Sequence, residues 1–78
     1  MTNTEPDEFD PYLRRRVANN VWKLRTELGL SQEKLSDICG FHRTYVSQVE
    51  RSATNVSVDN LQKLARGLDV DPVALMKP

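Results

Sequence analysis

The sequence predicts an all-α domain of five short helices, with the second and third joined by a tight turn. Three observations point to it. Apolar residues recur at intervals of three and four, the period of one helix face, and no stretch carries the alternation of a strand. Helix starts are marked at Asp10-Pro11, Ser31, Ser57 and Asp71-Pro72. Gly29 and Gly40 stand where the first two helices stop.

The first helix opens with an Asp10 N-cap and Pro11 at its first position. Leu13, Val17, Val21, Leu24 and Leu28 then form one stripe that ends at Gly29. Trp22 lies off this stripe, and packing over the core's edge is the first role expected of its indole. Holding the N-terminal arm and a subunit contact are the alternatives. Arg14, Arg15 and Arg16 read as a solvated run, with a phosphate-facing role the alternative. Ser31 caps a second helix of about two turns, with Leu35, Ile38 and Cys39 inward and Gly40 after it. Phe41 plugs the turn, and a third helix follows almost at once. Two short helices joined through a glycine turn make a helix-turn-helix unit. Ser52, Ala53, Thr54, Asn55 and Val56 form a polar loop. Ser57 caps a fourth helix that buries Val58, Leu61, Leu64, Ala65 and Leu68, with Gly67 weakening its last turn. Asp71-Pro72 opens a short fifth helix through Val73, Ala74, Leu75 and Met76.

A chain of 78 residues is one domain. At that size roughly 60–65% of the unfolded surface is buried, so stability is thin and a partner subunit would help. No apolar run approaches the ~18 residues of a membrane span, and no signal peptide opens the chain, so a cytoplasmic protein is expected. The single cysteine, Cys39, forms no internal disulfide, which fits a reducing compartment. Cys39 and the single histidine, His42, are too few for a structural metal site, and Cys39 reads as a small buried hydrophobe. No metal or cofactor is expected. No nucleophile–base pair or glycine-rich phosphate loop stands out, so an enzyme is not expected.

The formal net charge is zero, yet its distribution is uneven. Glu5, Asp7, Glu8 and Asp10 fall in the first ten residues, without a single Lys or Arg. The rest of the chain keeps 11 basic groups against the seven remaining acids. Residues 1–9 are therefore expected to form a disordered acidic arm, and residues 10–78 a mildly basic domain. That balance permits nucleic-acid binding without demanding it.

The third helix carries the chemistry. At 100° per residue, Val46 and Val49 face inward, and Arg43, Thr44, Ser47, Gln48 and Arg51 share the opposite arc. That arc holds no acid and no aliphatic side chain. Its guanidinium forks, hydroxyls and carboxamide are groups that read base edges and grip phosphates in a major groove.

Set in order along the chain, Arg25-x3-Gly29-Leu30-Ser31-Gln32-Glu33-x-Leu35, Gly40, Tyr45-Val46-Ser47-Gln48-Val49-Glu50 and Leu61-x2-Leu64-Ala65-x2-Leu68-x-Val70-x-Pro72 resemble the phage-repressor/Cro (XRE-type) helix-turn-helix family. The pattern spans about residues 12–77 and implies a five-helix lambda-repressor-like DNA-binding domain. Within the family, residues 43–51 with Asn55-Val56-Ser57-Val58 are most similar to restriction–modification controller proteins, small homodimers that regulate their own operon and the nuclease gene.

The resemblance implies a transcriptional regulator that binds double-stranded DNA as a homodimer on a two-fold symmetric operator, with RNA polymerase a further partner if it activates. Arg43, Thr44 and Gln48 are the base-contacting candidates. Gln32, Tyr45, Ser47, Arg51 and Asn55 are the backbone-contacting ones, with a half-core place for Tyr45, which flanks the apolar face, the equal alternative. Arg25 and Glu50 would form a partly buried ion pair between the first and third helices. Val73, Leu75 and Met76 are the expected dimer contacts, because so short a helix cannot bury all three within one chain. One departure is Ser52, which stands where the family usually has Gly; a less left-handed turn is expected there. The 52–56 loop is also poorer in Lys and Arg than in many relatives, so its phosphate grip should be weaker. The rival function is an antitoxin-like module that neutralises a partner protein and autoregulates its operon, with the acidic arm as the partner-binding segment.

Overall fold

A computed structural model describes residues 9–78. The expected acidic arm lies outside the described residues, apart from the exposed Phe9. Helices α1 (Tyr12–Glu27), α2 (Gln32–Ile38), α3 (Tyr45–Glu50) and α4 (Val58–Leu68) follow in order, and there is no strand among the described residues. The class is all-α with a helix-turn-helix. The count of five α-helices is corrected to four, because Pro72–Leu75 is a 3-10 turn. Asp71 starts it by accepting from the Val73 N–H at 2.9 Å. The Asn20 amide of α1 then donates to the carbonyls of Leu75 (3.1 Å) and Lys77 (2.9 Å). These two bonds hold the residues that follow the turn against α1.

The start of α1 also differs from expectation. Pro11 is the cap residue and makes no side-chain cap bond. The Asp10 carboxylate instead accepts both arms of the Arg15 guanidinium, at 2.7 and 3.1 Å. The serine caps form as the sequence predicts: Ser31 Oγ accepts from Lys34 N at 2.9 Å and Ser57 Oγ from Asn60 N at 3.0 Å.

All four helices end in the same paired hydrogen-bond motif. In α1, Leu30 N donates to Arg25 O and Gly29 N to Thr26 O, both at 3.0 Å. The left-handed residue is Gly29 after α1 and Gly40 after α2, but Ser52 (φ 57°) after α3 and Asp69 (φ 59°) after α4. The turn at Ser52 is therefore fully left-handed despite its side chain. Ala53 N still reaches Gln48 O at 2.9 Å, and that bond with its neighbour offsets the backbone cost of about 1 kcal/mol.

One core joins the elements. Val17 and Val21 of α1, Leu35 and Cys39 of the second helical segment, Val46 and Val49 of α3, Leu64, Ala65 and Leu68 of α4, and Leu75 are all buried. The ends of the predicted stripes fall outside it: Leu13, Leu28, Ile38 and Val58 are exposed. Trp22 is 56% exposed and is not among the side chains packed on the core, so the edge-packing role does not hold. Gly67 lies on α4 where α2 crosses. A Cβ built there would stand 2.5 Å from Cys39 Sγ. The residue read as a weak point is thus one where α4 has no room for a side chain against the second helical segment.

Burial pushes the Cys39 thiol above its ordinary value of 9.0, with the Arg66 charge opposing. The fold then keeps a proton that the unfolded chain releases, so this contribution is present below that value and is lost as pH rises past it. The stability advantage of the wild type over Cys39→Ala should be smaller at about pH 10 than at about pH 7 in chemical denaturation. An equal difference at both would remove the burial effect.

Candidate nucleic-acid interface

The site is built on the shortest α-helix. Six residues, Tyr45–Glu50, cannot hold a helix alone, so α3 depends on what fastens it. Val46 and Val49 anchor its inner face at 0% and 1% exposure. Its start is capped from α2: the buried Ser36 hydroxyl accepts from Val46 N at 3.1 Å and donates to Gln32 O at 2.9 Å. This contact explains where α3 begins. Arg43 and Thr44, expected on the helix, lie in the turn leading into it.

Behind α3, Glu50 closes a four-residue network. Its Oε2 accepts from Arg25 Nε at 2.6 Å and its Oε1 from Arg25 Nη2 at 2.9 Å. Arg25 Nη1 also donates to Leu30 O at 2.7 Å. The two side chains are only 11% and 6% exposed, and the hydrogen bonds to Glu50 hold Arg25 above the ordinary arginine value. Gln32 joins the same carboxylate, Nε2 to Oε1 at 2.9 Å. Gln32 was expected to reach outward to phosphate. The structure turns its amide inward, because Glu50 offers a charged acceptor within reach.

Tyr45 is likewise tied inward. Its hydroxyl accepts from Asn60 Nδ2 at 3.1 Å and its ring lies 4.3 Å from that of Phe41. Phe41 is half-buried at the turn, against the core, with Lys63 Nζ over its face. The outward side chains are Arg43, Thr44 and Arg51, which are exposed, and Ser47 and Gln48, which are partly so. Asn55 is exposed in the loop after α3. The structure thus brings Arg43, Thr44, Ser47, Gln48 and Arg51 onto α3 and its approach, with Gln32 and Tyr45 serving the scaffold beside them.

Two residues at this edge were not read as site residues. His42 Nδ1 lies 3.0 Å from Thr44 Oγ1. Glu33, in the first turn of α2, takes Arg43 Nη2 at 2.6 Å, and this bond raises the Arg43 pKa. The His42–Thr44 contact is local, two residues apart, whereas no local spacing signals the other, since Glu33 and Arg43 meet only through the turn.

The three expected dimer contacts separate. Leu75 is 0% exposed within the chain's own core and is corrected from interface to core. Val73 is exposed and Met76 is half-buried. Met76 lines a shallow apolar groove with Phe9, Leu13, Val56, Val58 and Leu61, between the starts of α1 and α4. Among the described residues no helix is long and apolar enough to cross a membrane, and no cluster of metal-ligating side chains occurs.

The helix-turn-helix family profile (HTH_3) matches residues 23–75. The chain belongs to this family. It is similar to a hypothetical transcription factor, NHTF, from Neisseria, whose crystal structure superposes with a TM-score of 0.83 at 41% identity, over 100% of this chain and 87% of that one. It is also 49% identical over 47 residues to the control protein C.BamHI of Bacillus amyloliquefaciens, covering 60% of this chain and 58% of that protein. The restriction–modification controller protein C.Esp1396I, solved as a tetramer on its natural 35-base-pair operator, matches with a TM-score of 0.77 at 32% identity, over 85% of this chain and 87% of that one. One of these relatives is a hypothetical transcription factor and two are control proteins, one of them seen on operator DNA. The likeness to XRE-type regulators and to control proteins read from the sequence is thereby shown.

Proposed function

We propose that this chain is a sequence-specific transcriptional regulator that binds duplex DNA as a homodimer across a two-fold symmetric operator, as a restriction–modification controller would. The observation that carries it is the outward row of Arg43, Thr44, Ser47, Gln48 and Arg51 on a helix fastened from behind by Arg25 and Glu50. A reading helix must be held rigid while its exposed side makes the contacts.

In this role Arg43 is bidentate to guanine O6 and N7, Gln48 pairs with adenine, and Thr44 meets a thymine methyl or an acceptor. Ser47, Arg51 and Asn55 hold phosphate oxygens, and Gln32 and Tyr45 orient α3 instead. The groove that includes Met76, with exposed Val73 nearby in sequence, is the apolar surface we assign to the second copy. Asn55 and Val56 of the loop that leaves α3 line it, so the second copy would sit beside that loop. The operator assembly of C.Esp1396I supports binding by more than one copy. Half-sites would lie about 34 Å apart, one helical turn.

The test is selection of random duplex DNA by purified protein at two salt concentrations, followed by sequencing. The expected pool carries a two-fold symmetric consensus, and Arg43→Ala loses preference for one base pair in each half-site. A pool without a consensus, bound only at the lower salt, would reduce the protein to a basic surface and defeat the proposal.

A further inference from the structure

Arg43 is not a free cation at the edge of α3. Its Nη2 lies 2.6 Å from Glu33 Oε2, although the two side chains are 70% and 64% exposed. An ion pair in open solvent adds little to a fold. Glu33 makes no cap bond in α2, where Ser31 fills that role, and its place in the first turn suits the helix dipole with or without Arg43. An acid beside the leading guanidinium is, moreover, unfavourable for plain attraction to a polyanion. Stability and general DNA affinity therefore both leave this contact unexplained, and selectivity is what remains.

We propose that Glu33 is a positioning residue for base readout, acting through Arg43; this rests on Arg43 reading a base as set out above. A guanidinium on a flexible stem beside DNA has two outlets. It can settle on the nearest phosphate, which carries no sequence information, or it can reach a guanine edge. Glu33 acts on both. Its bond to one Nη2 hydrogen limits the orientations of the planar fork and leaves one two-hydrogen edge, the second Nη2 hydrogen with its neighbour on Nη1 or Nε, for a base. Its charge repels a phosphate that approaches the same fork, while a guanine edge is uncharged. The carboxylate thus lowers sequence-independent grip and leaves the specific contact less affected.

The experiment compares four proteins: wild type, Glu33→Gln, Arg43→Ala and the double variant. Each is put through the random-duplex selection, and each is titrated with one fixed non-consensus duplex over a range of salt. Melting curves of wild type and Glu33→Gln should agree within about 2 °C, because the pair is exposed. Glu33→Gln should bind the non-consensus duplex more tightly, with a salt slope steeper by about one phosphate contact. Its preference at the base pair lost in Arg43→Ala should fall by about tenfold. In the Arg43→Ala background the same change should leave preference at that base pair unaltered.

An unchanged preference in Glu33→Gln, with the wild-type consensus intact, would overturn the inference and leave the proposed function standing. An equal tightening on the non-consensus duplex with and without Arg43 would also overturn it, since Glu33 would then act on DNA through its own charge and not through Arg43. If the wild type selects no consensus, the proposed function fails and the inference with it.

Discussion

Glu50→Gln should cost about 3–5 kcal/mol and lower the melting temperature by about 12–40 °C. Glu50 is the single anion to which both Arg25 and Gln32 donate, and its side chain is 6% exposed. The amide keeps the shape but loses the charge, and one of its two ends presents hydrogens to donors. Arg25 is left charged, 11% exposed and without a counter-ion. A domain of this size has only about 4–12 kcal/mol in total, so the loss approaches the margin of folding. Because α3 is fastened through this pair, DNA affinity should fall with stability, although neither residue faces outward. The double variant Arg25→Met with Glu50→Leu should be less destabilised than either single charge removal, since apolar replacement of a buried pair is often neutral. Thermal denaturation of the four proteins decides it. A wild-type melting curve for Glu50→Gln would show that the pair contributes nothing.

Gly67→Ala should destabilise, against the usual sign of that change. In an exposed helix interior, alanine in place of glycine gains about 1 kcal/mol. Here the new methyl would meet Cys39 Sγ at 2.5 Å, Leu35 Cδ1 at 3.3 Å and Ile38 Cγ2 at 3.5 Å. The sulfur turns on one bond inside a packed core and has little room to withdraw, so α2 and α4 must separate. Overpacking of this kind costs about 1–3 kcal/mol. Adding Cys39→Ala removes the nearest atom, and the pair Gly67→Ala with Cys39→Ala should recover part of the loss. Urea denaturation of the wild type, the two single variants and the pair measures the coupling. Gly67→Ala more stable than the wild type would mean that the helices are not in close contact there. Any separation of α2 from α4 also shifts Ser36, which caps α3, so DNA binding should weaken in step with stability.

These two sites mark how far the sequence could be read. Gly67 was visible in the sequence as a glycine inside a helical stripe, which by propensity alone is a weakness. Its value lies in the distance to a helix some thirty positions earlier, and no periodicity encodes that distance. Arg25 and Glu50 were legible as a pair only through the family resemblance, and Gln32's place beside them was not legible. Its position in the first turn of α2 is equally suited to reaching outward to a phosphate or inward to a carboxylate. Glu50 tips it inward because a charged acceptor within 2.9 Å outweighs solvent.

What the sequence by itself determined is the class, the order of the helices and their caps at Ser31 and Ser57, with stops at Gly29 and Gly40. Each depends on a few neighbouring residues: a hydroxyl three positions from an open N–H, a glycine where φ must be positive, an apolar side chain every three or four positions. The inward set of α3 and its outward arc follow from the same local rule. The tertiary structure decided everything that needs two distant segments to meet. Asn20 ties the last residues to α1, Pro72–Leu75 is a 3-10 turn and Leu75 enters the core, so the expected fifth α-helix does not form and Leu75 is taken from the three residues expected to meet a second copy. Ser36 sets the start of α3 and places Arg43 and Thr44 in the turn before it. Glu33 finds Arg43 across that turn. Hydrogen bonds and ion pairs between elements depend on the relative placement of whole helices, which burial of the shared core sets, and that placement has no signature within either segment.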